Sequence, residues 1–288
     1  MAAFVGGLLR GRVSFFRNEV GLLTTVHTLA GGSSGNALVL CCGDVRLLVD
    51  AGISCRRVGA GLRELGLELA DLTAVFITHT HADHISGLRT LLKRTDVPVY
   101  AAEAAGRDLA LRLPETSGRL EALELCCPVS LGTVEVTAFP TAHDAPGACG
   151  FRFDTPDGAA GLLTDTGYVT EEAADILPGV ALAVLEANHD VETLRSGPYP
   201  YYLKRRILGE EGHLSNEDCA RFAVTLAEHG AAEIVLAHLS KENNTPAMAR
   251  NAVETALSAA GLAPALSVAP RDVLGEAHVV QEASRCRG

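Results

Sequence analysis

From residue 24 the chain alternates short apolar runs with polar turns at a spacing that predicts strands. TTVHTLA (24–30) reads as a strand, GGSSGN (31–36) as a Gly/Ser turn, and ALVLCC followed by VRLLVD (45–50) as a hairpin, so three strands open the domain. SCRRVGAGLRELG (54–66) changes to helical spacing, with Val58, Leu62 and Leu65 on one face. LTAVFITH (72–79) is an apolar run only long enough for a buried strand, HISGLRTLLKR (84–94) predicts a helix, and PVYAA (98–102) the next strand. Near residue 130 the pattern restarts. TVEVTAFP (133–140), CGFRFDT (149–155) and AAGLLTD (159–165) are strands, the last two joined by an Asp157-Gly158 turn. ALAVLEA (181–187) and EIVLAHL (233–239) are buried strands with a helix at 216–229 between them, opened by a Ser215/Asp218 capping box. Thr245-Pro246 starts a further helix. Each half supplies strands and then helices with no linker between, which predicts an α/β protein: one αββα four-layer sandwich over 24–288 behind an N-terminal extension, 1–23.

Composition narrows the chemistry. With 48% hydrophobic and 20% charged residues the chain has ample core material, so disorder is excluded as its dominant state. A net charge of −11 argues against whole-surface affinity for nucleic acid or anionic lipid, so any polyanion must be held locally. All but three of the 24 cationic side chains are arginine, the residue suited to bidentate phosphate contacts. No apolar stretch is long enough for a membrane span. The eight cysteines include no C-x-x-C, which speaks against thiolate metal sites; the adjacent pairs Cys41-Cys42 and Cys126-Cys127 read as buried free thiols of a reducing cytoplasm. Arg10, Arg12 and Arg17, with no acid before Glu19, faintly resemble a transit peptide, although a plain extended start accounts for them as well.

The candidate chemistry lies in T-H-T-H-A-D-H (78–84), directly after a buried strand and before a helix, where α/β sheets build their sites. His79 and His81, two apart in an extended segment, can face one ion while Asp83 and His84 turn to a second. Four solvated helix-capping residues would explain Asp83 but not three histidines. His143, Asp165 and His238 also end predicted strands. Sorted by valence, His79, His81 and His143 complete one site, Asp83, His84 and His238 another, and Asp165 bridges them. Nitrogen and oxygen ligands without thiolate suit Zn²⁺, and the carboxylate-bearing half also suits Mn²⁺. Asp50, ending LLVD, fits an acceptor that orients a ligand imidazole.

The H-x-H-x-D-H run with its upstream Asp, then His, Asp and His at later strand ends, resembles the metallo-β-lactamase fold over about residues 24–270. The runs TLAGGSSGN (28–36), LEANHD (185–190), GPYP (197–200), LKRRI (203–207) and GHLSN (212–216) are similar to the YycJ/WalJ subfamily. That resemblance implies a cytoplasmic 5′-to-3′ DNA exonuclease linked to DNA repair, acting through two divalent metal ions, Zn²⁺ and/or Mn²⁺, and a metal-bound hydroxide. The segment from LEANHD to LAHLS also resembles tRNA 3′-processing endonucleases, whose Glu-His proton relay would fall on Glu186 and His213. GG at 31–32 departs from the usual small residue plus Gly, and nothing resembles the tRNA-gripping arm. In such a site Asp83 is catalytic as well as a ligand. His213, held by Glu186, is the candidate general acid.

Candidate substrate contacts are Ser34 and Asn36 in the Gly/Ser turn, His189, and the run Lys204, Arg205 and Arg206 beside Tyr199, Tyr201 and Tyr202, where a nucleic-acid backbone could be tracked with a base on a ring. The expected partner is nucleic acid, DNA ahead of RNA, with no membrane contact. Two competing readings stay open. One is hydrolysis of a lactone, thioester or cyclic nucleotide on the same site; the other is a non-catalytic metal-bound sensor, for which missing ligands would be the signature.

Overall fold

The computed structural model describes residues 17–18 and 21–281. Most of the predicted extension 1–23, and Cys286, lie outside that range. After a short ribbon, β1 (Arg17–Asn18) with β2 (Gly21–Leu22), the first half runs β3 (Thr25–Gly32), β4 (Gly35–Cys42), β5 (Val45–Val49), α1 (Cys55–Glu64), β6 (Ala74–Ile77), α2 (Ala82–Ile85), α3 (Leu88–Leu92), β7 (Val99–Ala102), α4 (Glu103–Arg112) and β8 (Leu120–Leu123). The second half continues β9 (Pro128–Leu131), β10 (Val134–Pro140), β11 (Cys149–Thr155), β12 (Gly158–Leu163), α5 (Glu171–Ile176), β13 (Leu182–Glu186), α6 (Val191–Ser196), α7 (Tyr201–Ile207), α8 (Asn216–Glu228), β14 (Glu233–Ala237), α9 (Pro246–Ala259), β15 (Ala265–Val268) and β16 (His278–Val279). One seven-stranded sheet has the order β16-β3-β4-β5-β6-β7-β8, the other β15-β14-β13-β12-β11-β10-β9.

The sheets face each other over one apolar layer. Phe76 of β6 meets Phe151 of β11 edge-on with ring centroids 5.5 Å apart, and Leu40, Leu47, Val136 and Phe153 fill the space around them. Helices α1, α3 and α4 cover the first sheet through Val58, Leu62, Leu88, Leu91 and Leu109. α5, α8 and α9 cover the second through Ala173, Phe222, Leu226, Val253 and Leu257. The result is the αββα sandwich expected from the pattern. Ser215 and Thr245 open their helices as read, and Ser54 does the same: each accepts a backbone N–H from the third residue of the following helix.

Two expectations change, and one pairing is new. The helix read over 84–94 is two short helices, because at Gly87 the chain leaves the axis to donate its N–H to Ala51 O at 2.8 Å. A Cβ on Gly87 would lie 2.0 Å from Ile53 O, so only glycine permits that approach. Cys126 and Cys127 are exposed in a turn between β8 and β9, Cys126 at φ +61°, while Cys41, Cys42, Cys55, Cys149 and Cys219 are buried free thiols. Finally, the last strand returns to the first sheet: β16 pairs antiparallel with β3, and the His278 Nδ1–H donates to Glu233 Oε1 at 2.7 Å.

Close to that closure, burial and the neighbouring His278 lower the His27 pKa to about 4. The native state therefore keeps His27 neutral while the unfolded chain takes up its proton near pH 6.5. Stability is lost as pH falls from about 6.5 to 4, by roughly 3 kcal/mol for the full shift. Urea unfolding of His27→Leu is expected to show a shallower fall over that window than the unchanged protein; parallel curves would refute it.

Candidate functional site

Parallel pairing of β5 with β6, and of β12, β13 and β14, turns their C-terminal ends to a common edge. Asp50, His79, Asp165, Glu186 and His238 stand at or just past those ends, and His143 follows β10. Asp50, Asp165 and His238 all adopt positive φ, 60°, 57° and 57°. That left-handed conformation costs a non-glycine residue about 1–3 kcal/mol, and it turns each side chain back over the strand end instead of onward along the loop. The start of α2, which carries Asp83, is seated on Gly52, where a Cβ would lie 1.5 Å from Asp83 O.

The side chains converge as the sequence suggested. His79, His81 and His143 bring ligand nitrogens within 4.8 Å of one another; so do the donors of Asp83, His84 and His238, and of His79, His84 and Asp165. Asp165 touches both triads: Oδ2 lies 3.3 Å from His84 Nε2, and Oδ1 lies 3.4 Å from His238 Nε2 and 3.8 Å from His143 Nε2.

Outer partners aim the rings. His84 Nδ1 is 2.7 Å from Asp50 Oδ2, His238 Nδ1 is 2.8 Å from Glu186 Oε1, and His143 Nδ1 is 3.0 Å from Gly212 O. Each of these acceptors fixes the proton on Nδ1 and presents Nε2 inward as a lone pair. Asp50 is itself held by the backbone N–H and hydroxyl of Thr78, each 2.9 Å away. The buried Nε2 atoms of His79 and His238 and Asp165 Oδ2 have no hydrogen-bond partner. Buried polar atoms without a partner are costly, and here they point at one another, as cation ligands would.

Electrostatics agree. Burial would raise the carboxyls of Asp83 and Asp165, yet the facing imidazoles of His238 and His84 hold both well below the usual range, their Nε2 atoms 3.6 and 3.4 Å from Asp83 Oδ2. Burial opposes charge on His238, but Asp165, Asp83 and Glu186 raise it to about 10. The carboxylates make a negative well that holds a second proton on His238, and a divalent cation bound between the triads would displace that proton. Glu186, fully buried, is held at about 2 against its desolvation by His213 and His238. Its Oε1 receives the Nδ1 atoms of both His213 and His238 at 2.8 Å, while Oε2 accepts the N–H groups of Thr166 and Leu214.

The predicted substrate contacts fare differently. Ser34 is exposed at the turn tip, and its neighbour Ser33 faces the site. Asn36 lies inside, its Nδ2 3.0 Å from His84 Nε2 and 3.4 Å from Asp83 Oδ2. His189 is 1% exposed, with neither ring nitrogen partnered, and burial lowers it to about 4, so it is a sealed neutral imidazole rather than a surface contact. The run on α7 splits up: the Lys204 ammonium donates to Arg195 O at 2.7 Å, Arg205 stays exposed, and Arg206 grips both oxygens of Asp144 at 2.6 and 3.0 Å. Asp144, 3.6 Å from both His81 Nε2 and His143 Nε2, is a site residue that the sequence reading missed. Its signal was available, a carboxylate directly following a ligand histidine in PTAHD.

Fold and site together define a metallo-hydrolase: residues 45–239 match the family described as Beta-lactamase superfamily domain, and the chain belongs to that superfamily. Within it the chain groups with the WalJ/YycJ proteins. It is 37% identical over 250 residues to "Exodeoxyribonuclease WalJ" of Streptococcus pneumoniae serotype 2 (strain D39 / NCTC 7466), covering 85% of this chain and 91% of the relative. It is also 37% identical over 236 residues to "Exodeoxyribonuclease YycJ" of Bacillus anthracis, covering 81% and 89%. Among solved structures, the metallo-beta-lactamase fold protein YhfI from Bacillus subtilis superimposes with TM-score 0.67 at 17% identity, over 88% of this chain and 99% of that one, a likeness of fold.

Proposed function

We propose that the chain is a metal-dependent exonuclease that removes nucleotides from the 5′ ends of DNA and serves DNA repair in the cytoplasm. The observation that carries this reading is Asp165 standing in reach of both ligand triads, which provides for a dinuclear site. The two exodeoxyribonuclease relatives support DNA as substrate. Among the described residues no helix is long and apolar enough to cross a membrane.

In this reading His79, His81 and His143 hold one ion, Asp83, His84 and His238 the other, and Asp165 both. When bound, Zn²⁺ or Mn²⁺ would supply charge for the phosphodiester and lower the pKa of water toward neutrality. The remaining work belongs to the chain. Asp50 keeps His84 in register, and Gly212 O does the same for His143. His213 carries a proton toward the leaving oxygen, with Glu186 fixing its ring through Nδ1. Arg205 and Arg206 on α7 lie where a strand could pass, Arg206 by exchanging Asp144 for a phosphate.

The test uses 5′- and 3′-labelled single- and double-stranded DNA and RNA, digested with Zn²⁺ or Mn²⁺ against an Asp83→Ala control, with elemental analysis of the purified protein. Expected are two tightly bound ions per chain and mononucleotides released first from the 5′ end of DNA. At most one tightly bound ion, with no gain on adding either metal, would refute the dinuclear site; release from the 3′ end, or RNA cut in preference, would refute the polarity or substrate.

A further inference from the structure

A cavity of about 170 Å³ lies against His143 and His213. Its apolar lining comes from Tyr199, ahead of α7, and from Leu203 and Ile207 within it; its polar lining includes Asn188, Ser240 and Glu211. At this size, below the roughly 300 Å³ at which pockets for drug-sized ligands begin, it has room for about one ring system.

The lining chemistry selects a neutral ring over an anion. Glu211 brings a negative charge, and the lining cation, Arg206, is already paired with both oxygens of Asp144. Asn188 spends its Nδ2 on His238 O at 2.9 Å, which leaves its carbonyl oxygen to accept. Ser240 Oγ accepts from the backbone and the side-chain nitrogen of Asn243, each at 3.2 Å, which leaves its O–H to donate. A flat heterocycle with donors and acceptors along its edge meets both requirements, its face against Tyr199 and the two aliphatic side chains.

Position says which ring. In the reaction proposed above water attacks phosphorus, and with cleavage on the O3′ side of the phosphate the P–O3′ bond breaks with its electron pair on O3′. His213 gives that oxygen a proton, so the upstream nucleoside leaves as a 3′-alcohol and the phosphate stays on the 5′ carbon of the downstream nucleotide. The nucleoside bearing O3′ must therefore lie on the His213 side, where the cavity opens. We propose that this cavity binds the base of the nucleotide that supplies the leaving 3′ oxygen. The assignment rests on the nuclease reading, and for digestion from a 5′ end the base in question is the terminal one.

The experiment compares three oligonucleotides: intact, abasic at the 5′-terminal nucleotide, and abasic at the second. Removal of the first nucleotide is measured with the unchanged protein and with Leu203→Trp, which fills the cavity without replacing a ligand. Tyr199→Ala serves as a second variant should Leu203→Trp not fold. Losing the terminal base is expected to lower kcat/KM about tenfold, the size of one base–aromatic stack, and losing the second base to leave it unchanged. Either variant should be about tenfold slower on the intact strand and blind to the terminal base. Equal rates on intact and 5′-abasic strands, or discrimination that survives in the filled variant, would overturn the subsite alone. If no DNA is cut with either metal, the nuclease reading fails and the subsite falls with it.

Discussion

Asp165→Ala is expected to lower turnover by about 10³-fold or more, further than the loss of any single histidine. Among the described residues Asp165 is the one carboxylate in contact distance of His84, His143 and His238; His143 belongs to one triad, His84 and His238 to the other. Each histidine serves one site, whereas removing Asp165 withdraws a negative ligand from both and leaves the facing imidazoles with less charge to offset a cation. Several kcal/mol of transition-state stabilisation depend on such a clamp, which is where the 10³ comes from. Asp165→Asn keeps the volume and removes the charge, so its loss should approach that of the alanine variant. The measurement is kcat on labelled DNA together with metal content per chain. Near-normal turnover with two ions retained would show that Asp165 does not bridge.

His213→Ala should act on the other half of the reaction. Its Nδ1 is fixed on Glu186 and its ring borders the cavity, so losing it removes a proton donor and leaves the triads in place. Turnover on DNA is expected to fall by about 10²–10⁴-fold, with KM and metal content nearly unchanged, while a substrate that releases p-nitrophenolate is largely spared because that group leaves without a proton. Glu186→Gln should differ in kind. Because Glu186 Oε1 also receives His238 Nδ1, that change loosens a ligand as well as the acid, and metal affinity should fall about 10–100-fold alongside turnover. If His213→Ala loses metal, or slows both leaving-group classes equally, it is a ligand or a structural residue.

Much of this was legible from residue order. The αββα layering followed from two successive strand-then-helix patterns, and the ligand types followed from HTHADH and from single His or Asp residues at strand ends. The Glu186–His213 pair came through resemblance, and its geometry in the structure is a 2.8 Å contact. Other features were not legible because they depend on which surfaces meet. The split of the 84–94 helix follows from Gly87 packing on the 51–53 backbone, an encounter between segments more than thirty residues apart. Lys204, Arg205 and Arg206 look alike in sequence, but their environments separate them: one caps α6, one is exposed, and one is held by Asp144, 62 residues away.

What the sequence by itself determined is the list of parts: alternating apolar runs that can only be satisfied by two buried sheets, and donors placed where those runs stop. Periodicity and side-chain chemistry are local properties, so they can be read one segment at a time. What only the tertiary structure decided is aim. The left-handed turns at Asp50, Asp165 and His238, the shared carboxylate of Glu186, and the cavity between α7 and the strand ends arise from contacts across the fold. Such contacts are paid for by the packing of the whole core, and that is why a strained backbone at three strand ends can persist and hold the donors of both triads toward one another.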